Sequence, residues 1–463
     1  MITGAKGSTV DMTQGNIIRL ILLYSLPLLA GNLFQNLYNT VDSLVVGNFL
    51  GKTSLAAIGA TTSLVFMLVG FFNGLSTGGT IVISQLFGAK KYEKLNRAVH
   101  TMICGTFLLG LFFALLGSFY TPFLLHLMNV PEDVYEEAHS YLSIYFSGIV
   151  FLMLYNMGTG ILRAVGDSKN PLLYLIISSL TNIVLDLIFV LAFKSGINGV
   201  AFATLLSQAL SSALVLIKLF KTKTYYQMTV KKLCIDRKCL TKTIVYGLPG
   251  ALQMTVTAFS NMFAQRYINK FGADCIAGQA VFQKIDSLAL LPLITLGVGI
   301  TTYASQNFGA GNIERVKKGN EYAVWLSVII TVLIGGTIGI FAPQLVGLFN
   351  RNEGVIQYGV FFTRAASSVC MIRSINEVYT GTLRGVGNIK MPMIIKIGSF
   401  VIFRQFFLFI VTRVTDSFFP VGISFILGWI LCNVWMAVYY YYYMHKNYRK
   451  TVTKNSSLKK EVS

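Results

Sequence analysis

Charge is what this sequence has least of. Of its 463 residues only 12% are Asp, Glu, Lys or Arg, and the mean hydropathy is +0.64. A chain so apolar cannot cover itself as soluble domains do, so it is expected to be an integral membrane protein. Acids are scarcer than bases, 18 against 38, which leaves a net charge of +20. In a soluble protein that excess would point to nucleic acid. Here the basic residues fall at Lys90–Arg97, Lys218–Lys242, Arg315–Lys318 and Lys446–Lys460, between or after apolar runs, which is the positive-inside pattern. A nucleic-acid partner is therefore not expected. The intervening connection with Glu132, Asp133, Glu136 and Glu137 carries acids instead and is placed outside.

Histidine is almost missing, and the four present (His100, His126, His139 and His445) lie in separate segments. The stretch GLSTG at Gly74–Gly78 matches G-x-S-x-G. It lies inside an apolar run rather than at a strand-to-helix turn, so close helix packing explains it better than a nucleophile elbow. No G-x-x-x-x-G-K-[ST] loop occurs, which excludes nucleotide hydrolysis by the chain itself. The expectation is a non-enzyme. Six cysteines (Cys104, Cys234, Cys239, Cys275, Cys370 and Cys432) are scattered and read as inert thiols. Cys234 and Cys239, the only close pair, have no His or third Cys nearby to complete a metal site. The first dozen residues are polar, without the form of a cleavable signal, so both termini are expected in the cytoplasm.

A membrane-crossing helix needs roughly 20 apolar residues. Counting between polar breaks predicts twelve, over 17–42, 54–86, 98–121, 138–162, 172–194, 197–220, 243–269, 275–306, 320–341, 357–383, 392–413 and 420–444. The expected organisation is a first lobe at 1–220, a cytoplasmic linker at 221–242, a second lobe at 243–445 and a basic cytoplasmic tail at 446–463. The two halves are copies. SQLFGAK at Ser84 answers SQNFGAG at Ser305, and LRAVGDSKNP at Leu162 answers LRGVGNIKMP at Leu383, both at an offset of 221, while Pro27 answers Pro249 at 222. Both members of each pair sit beside basic residues and so face one side, which requires an even number of spans per copy. Parallel repeats of six helices are an architecture for moving something across the bilayer, with sites near mid-depth. Pro27 and Pro249 are the expected flexible points of the first and seventh helices. Gly166 and Gly387 are expected to allow left-handed turns after the fourth and tenth.

The polar residues inside these apolar runs are the candidate site. A carboxylate at the bilayer centre costs roughly 2.5–3.5 kcal/mol on insertion scales, so it normally faces a protein-lined cavity. In the first helix Gln35, Asn39 and Asp42 fall at i, i+4 and i+7, on one face; in the fifth, Asn182 and Asp186 fall at i and i+4. Two neighbouring carboxylates share a proton or hold a cation. Oxygen ligands from Asn39, Asn182 and Thr204 suit either Na⁺ or a proton relay. The competing reading puts Asp42 at an outer helix end in water. Tyr38 and Asn156 either line the same cavity or make helix–helix hydrogen bonds. The second half lacks the equivalent acids and carries Lys284, Asp286, Arg373 and Glu377 instead, as internal ion pairs or as substrate contacts. Arg373 and Glu377, at i and i+4, form the expected pair.

Together these residues resemble the MATE (multidrug and toxic compound extrusion) secondary transporters. The resemblance spans essentially the whole chain and rests on SQLFGA and SQNFGA, LRAVGD and LRGVGN, and Pro27 with Asp42 in the first helix. It implies an all-α, V-shaped, two-lobe fold that exports amphipathic, often cationic drugs against Na⁺ or H⁺, with no cofactor beyond that ion. It also implies a cation site at Asp42, Asn182, Asp186 and Thr204. The norfloxacin-exporter branch keeps carboxylates where this chain has Gln253 and Arg373, so the likeness is closer to the DNA-damage-inducible branch. The expected partners are small organic cations and membrane lipids, the expected state a monomer and the expected location a bacterial cytoplasmic membrane. The alternative is a flippase for lipid-linked saccharides or peptidoglycan precursors, which would use Lys284, Arg373, Arg266 and Arg404 to hold pyrophosphate.

Overall fold

The computed structural model describes residues 9–128, 130–415 and 417–461; of these, the side chains of 43, 52, 55, 63, 258, 259 and 447–461, and so nearly all side chains of the expected basic tail, are left undescribed. Everything regular among the described residues is helical. In the first copy the elements are α1 (Ile17–Phe49), α2 (Lys52–Gly88), α3 (Tyr92–Leu127), α4 (Glu132–Ala164), α5 (Lys169–Leu187) and α6 (Gly196–Lys221). A short turn at Val230–Lys232 interrupts the linker. The second copy contains α7 (Arg237–Asn269), α8 (Gly272–Gly309), α9 (Ile313–Ile340), the one-turn α10 (Ala342–Gly347), α11 (Glu353–Ser368), α12 (Cys370–Gly385), α13 (Lys390–Ile397), α14 (Arg404–Val414) and α15 (Phe419–Glu461).

Ten of these helical segments are long and apolar enough to cross a membrane, and an eleventh span results if α11 and α12, bent by 48° at their junction, are counted together. The expected span 357–383 is thus two helices rather than one. The remaining expected span corresponds to α7, which is as long as the others but interrupted by Gln253, Thr255, Thr257, Asn261 and Gln265. The first helix also runs past its expected end at residue 42, to Phe49. Asp42 therefore lies about two turns inside a helix, not at its outer end.

The duplication extends to individual hydrogen bonds. At the end of α4, Asp167 N donates to Leu162 O (2.9 Å) and Gly166 N to Arg163 O (3.0 Å); at the end of α12, Asn388 N donates to Leu383 O (2.9 Å) and Gly387 N to Arg384 O (2.9 Å). Gly166 and Gly387 have φ of +85° and +86°, as their sequence context requires. This paired bonding closes a helix with a left-handed residue. The ends of α2 and α8 use the same device, with Lys91 N on Leu86 O and Asn312 N on Asn307 O. There Lys90 occupies the left-handed position (φ +53°) that Gly311 fills in the second copy (φ +77°).

The chain forms two compact units. Among the described residues, one comprises those up to Asp11 and Leu26–Ala251, the other Met12–Ser25 and those from Leu252 onward. Of the three boundaries, the one at Asp11 precedes α1, and the other two fall within continuous helices, one beside Pro27 in α1 and one just after Pro249 in α7. In the first unit α4 packs between α3 and α6 and also against α2. Its apolar core joins Val99, Met102, Leu154, Met157, Ile161 and Val215. In the second unit α8 packs against α9, α11 and α12.

GLSTG has the packing role expected of it. A Cβ at Gly74 would strike the backbone of Ala251, and one at Gly78 the backbone of Gly247 and Thr243, so α2 and the first half of α7 touch main chain to main chain within the first unit. Gly78→Val must push these helices apart. Overpacking of this kind costs about 1–3 kcal/mol, and a lower unfolding temperature than that of Gly59→Val is expected in a fluorescence melt. Gly59 is the control because a Cβ there meets nothing within 4 Å.

Candidate functional site

The two acids of the first unit are neighbours. Asp186 is fully buried on α5, and Asp42 is half-buried on α1. Their carboxyl groups meet at hydrogen-bonding distance, a contact that requires a proton on one of them or a cation between them. The Asn182 amide is 1% exposed, and its neighbours assign its orientation: with the amide turned so that Nδ2 faces the acid, Nδ2 donates to Asp186 Oδ2 (3.0 Å) and Oδ1 accepts from Thr204 N (3.2 Å). The Thr204 hydroxyl donates to Val200 O (3.0 Å) and is hydrogen-bonded by Tyr38. Oδ1 of Asp42 and Oδ1 of Asp186 are both buried without a partner. Buried carboxylate oxygens are normally satisfied, so the pair has the donor chemistry of a cation site: hard oxygen ligands, two of them orphaned.

Local sequence explains the placement. Asp186 is the penultimate residue of α5, and the helix continues as a π segment over Ile188–Ala192. A π turn inserts a residue and is frequent at functional sites. On α1 the residue beside the pair is Tyr38, four before Asp42; Gln35 and Asn39, expected on the same face, are exposed. Asn156 does not join the group. Its Nδ2 donates to Leu152 O in its own helix (3.0 Å), and its main-chain carbonyl oxygen accepts from Ser76 Oγ (2.7 Å), a helix–helix tie between α4 and α2. Sequence reasoning missed Tyr141, which is buried and within electrostatic reach of both acids. It stacks on Tyr145 at 6.5 Å between ring centroids, and Tyr145 hydrogen-bonds Gln208. The spacing of Tyr141 and Tyr145, i and i+4 in YLSIY, was the available signal.

In the second unit the charges pair differently from the expected Arg373–Glu377 couple. Arg373 grips Asp286 with two nitrogens, at 2.7 and 3.0 Å. Glu377 accepts from Lys396 at 2.5 Å. A fork-to-carboxylate fit joining two helices wins over an i, i+4 contact along one, because Arg presents two parallel donors. Sequence reasoning also missed Lys396, the second of two lysines in α13, which is only 6% exposed. Lys284 is exposed, with its ammonium 5.9 Å from the Phe349 ring centre.

The sequence model of the MatE family matches residues 27–188 and again 249–410. The chain belongs to the MATE family. MATE proteins are multi-pass membrane transporters, not enzymes, and the double match gives the two repeats directly. Among curated relatives, the "probable multidrug resistance protein YoeA" of Bacillus subtilis is 29% identical over 396 residues, 84% of this chain and 86% of the relative. "Probable multidrug resistance protein YpnP" of the same organism is 28% identical over 394 residues, 85% of this chain and 88% of the relative. Among solved structures, a MATE family transporter described as a multidrug resistance protein in an outward-facing conformation matches at a TM-score of 0.89 and 23% identity, covering 96% of this chain and 99% of that one. A Pyrococcus furiosus transporter of the MOP superfamily, described as having a binding pocket of reverse polarity, matches at a TM-score of 0.89 and 24% identity, with the same coverage. At such identities these structures speak for the MATE fold alone.

Proposed function

We propose that this MATE transporter exports amphipathic organic compounds, cationic ones among them, in exchange for Na⁺ or H⁺ by alternating access in a bacterial cytoplasmic membrane, as a monomer with cytoplasmic termini. The observation that carries the reading is the Asp42–Asp186 contact, with one orphaned buried oxygen on each residue. Entry of a cation satisfies both oxygens and removes the repulsion between the carboxylates. Asn182 and Thr204 hold Asp186 in place, and Tyr38 ties α1 to α6 through Thr204. Cation occupancy thereby favours one position of α1, whose helix lacks a backbone bond at Pro27. Drug occupancy favours the other. The names of the curated relatives support multidrug export. Gln253 and Arg373, where the norfloxacin-exporter branch keeps acids, support a place nearer the DNA-damage-inducible branch.

The test is dye efflux from proteoliposomes with Na⁺ and pH gradients imposed one at a time. One of the two gradients is expected to drive efflux of a cationic dye such as ethidium. Efflux that answers to neither gradient would overturn the antiport reading.

A further inference from the structure

The second unit contains a partly open cavity of about 380 Å³ between α7, α8, α11, α14 and α15, within the size range of small-molecule sites. Its electrostatics are set by one residue, Arg404, which is 9% exposed. Nη1 donates to Asn261 Oδ1 at 3.2 Å, while Nε is buried with no partner. Among the described residues no carboxylate pairs with it. Asp286 also lines the cavity, but both its oxygens are taken by Arg373, so that pair contributes no net charge. Arg404 is left as an uncompensated buried cation. Removing a guanidinium from water without a counter-charge is costly, and its planar fork matches a carboxylate in particular.

The remaining walls define the body of the ligand. Phe282 and Phe362 lie with ring centres 6.0 Å apart, and Phe425 meets Phe282 edge-on at 6.3 Å; all three line the cavity, as do the amides of Gln279 and Gln283. The Arg404 guanidinium lies 5.8 Å from the Phe425 ring centre. The main chain supports this arrangement, since a π segment over Gly398–Phe403 ends immediately before Arg404. We propose that this cavity binds an organic monocarboxylate with an aromatic body, the carboxylate on Arg404 and the body among Phe282, Phe362 and Phe425. The site lies wholly in the second unit and is separate from the acid pair of the first. The chain therefore accepts anionic or zwitterionic compounds as well as cations.

Equilibrium binding in the absence of any ion gradient tests this independently of antiport. The full-length protein in phosphatidylcholine nanodiscs is titrated calorimetrically with 2-naphthoate and, separately, with its neutral amide 2-naphthamide. Naphthoate is expected to bind saturably and at least about tenfold more tightly than naphthamide. Arg404→Gln should abolish that preference, and Arg404→Lys should retain part of it. Equal affinity for acid and amide in the wild-type protein overturns the proposal, with no variant needed. So does a tight naphthoate site that survives in a folded Arg404→Gln protein. Nanodiscs containing phosphatidylglycerol distinguish the other source of an anionic group: loss of naphthoate binding there would assign Arg404 to lipid phosphate and overturn the carboxylate assignment.

Discussion

Asp186→Asn is expected to abolish gradient-driven accumulation while leaving a folded protein. The substitution keeps the shape and hydrogen-bonding capacity of the side chain but removes one charge of the pair, and with it the competition between a proton or Na⁺ and an empty, repulsive site. One charge crossing about 100 mV releases roughly 2.3 kcal/mol, enough for about fiftyfold accumulation at roughly 1.4 kcal/mol per decade. The dye concentration ratio across proteoliposome membranes should fall from that order toward unity. Asp42→Asn should do the same, and cells expressing either variant should lose any tolerance to cationic dyes conferred by the wild type. A variant that retains the wild-type ratio would mean the acid pair is a structural feature only. Thermal unfolding separates failure to couple from failure to fold. The Asn variants are expected to be no less stable than the wild type, because a neutral amide beside the remaining carboxyl group needs neither a shared proton nor a cation to be accommodated.

Glu377→Gln should have the largest effect on stability. Its partner Lys396 has a side chain only 7% exposed, and the Glu377 side chain is 23% exposed. Removing one member of a buried pair strands the other charge, which costs about 3–5 kcal/mol. Arg384 also lies within electrostatic reach of Glu377, so the loss leaves an excess of positive charge rather than a single stranded group. The double variant Glu377→Leu with Lys396→Met should recover most of the loss, since apolar replacement of both members of such a pair is often neutral. Unfolding temperature in detergent is the measurement. A double variant as unstable as Glu377→Gln would show that the pair acts through something other than the uncompensated ammonium.

Much of this molecule was legible in the sequence, for identifiable reasons. Apolar runs of spanning length fix helices because no other chain-continuous structure satisfies its backbone in lipid, and the offset of 221 exposed the repeat because helix-end turns demand glycine at set positions. Asp42, Asn182 and Asp186 stand out since such polar groups in apolar runs are rare; Thr204 shares its helix with Ser207, Gln208, Ser211 and Ser212, and the resemblance to the family is what singles it out. What sequence periodicity could not supply was the choice of partner between helices. Spacing along one helix pairs Arg373 with Glu377, whereas the folded chain pairs it with Asp286 on another. Tyr141 carries no signal of its own, because tyrosine is ordinary in membrane helices. The bend between α11 and α12 and the π segments carry no proline to announce them.

The two compact units do not coincide with the two sequence copies. Met12–Ser25 is packed with the second unit, and the first half of α7 with the first. Each copy thus contributes the opening of its proline-bearing helix to the other unit. A chimaera that exchanges halves with a relative at the 221–242 linker would transplant both openings into foreign surroundings. Crossovers placed at the two prolines would keep the second packed body of one parentage and the first as well, except for the stretch that precedes Met12. Gene fusions built on the duplication should therefore be joined inside helices, where domain-shuffling practice would normally forbid a cut.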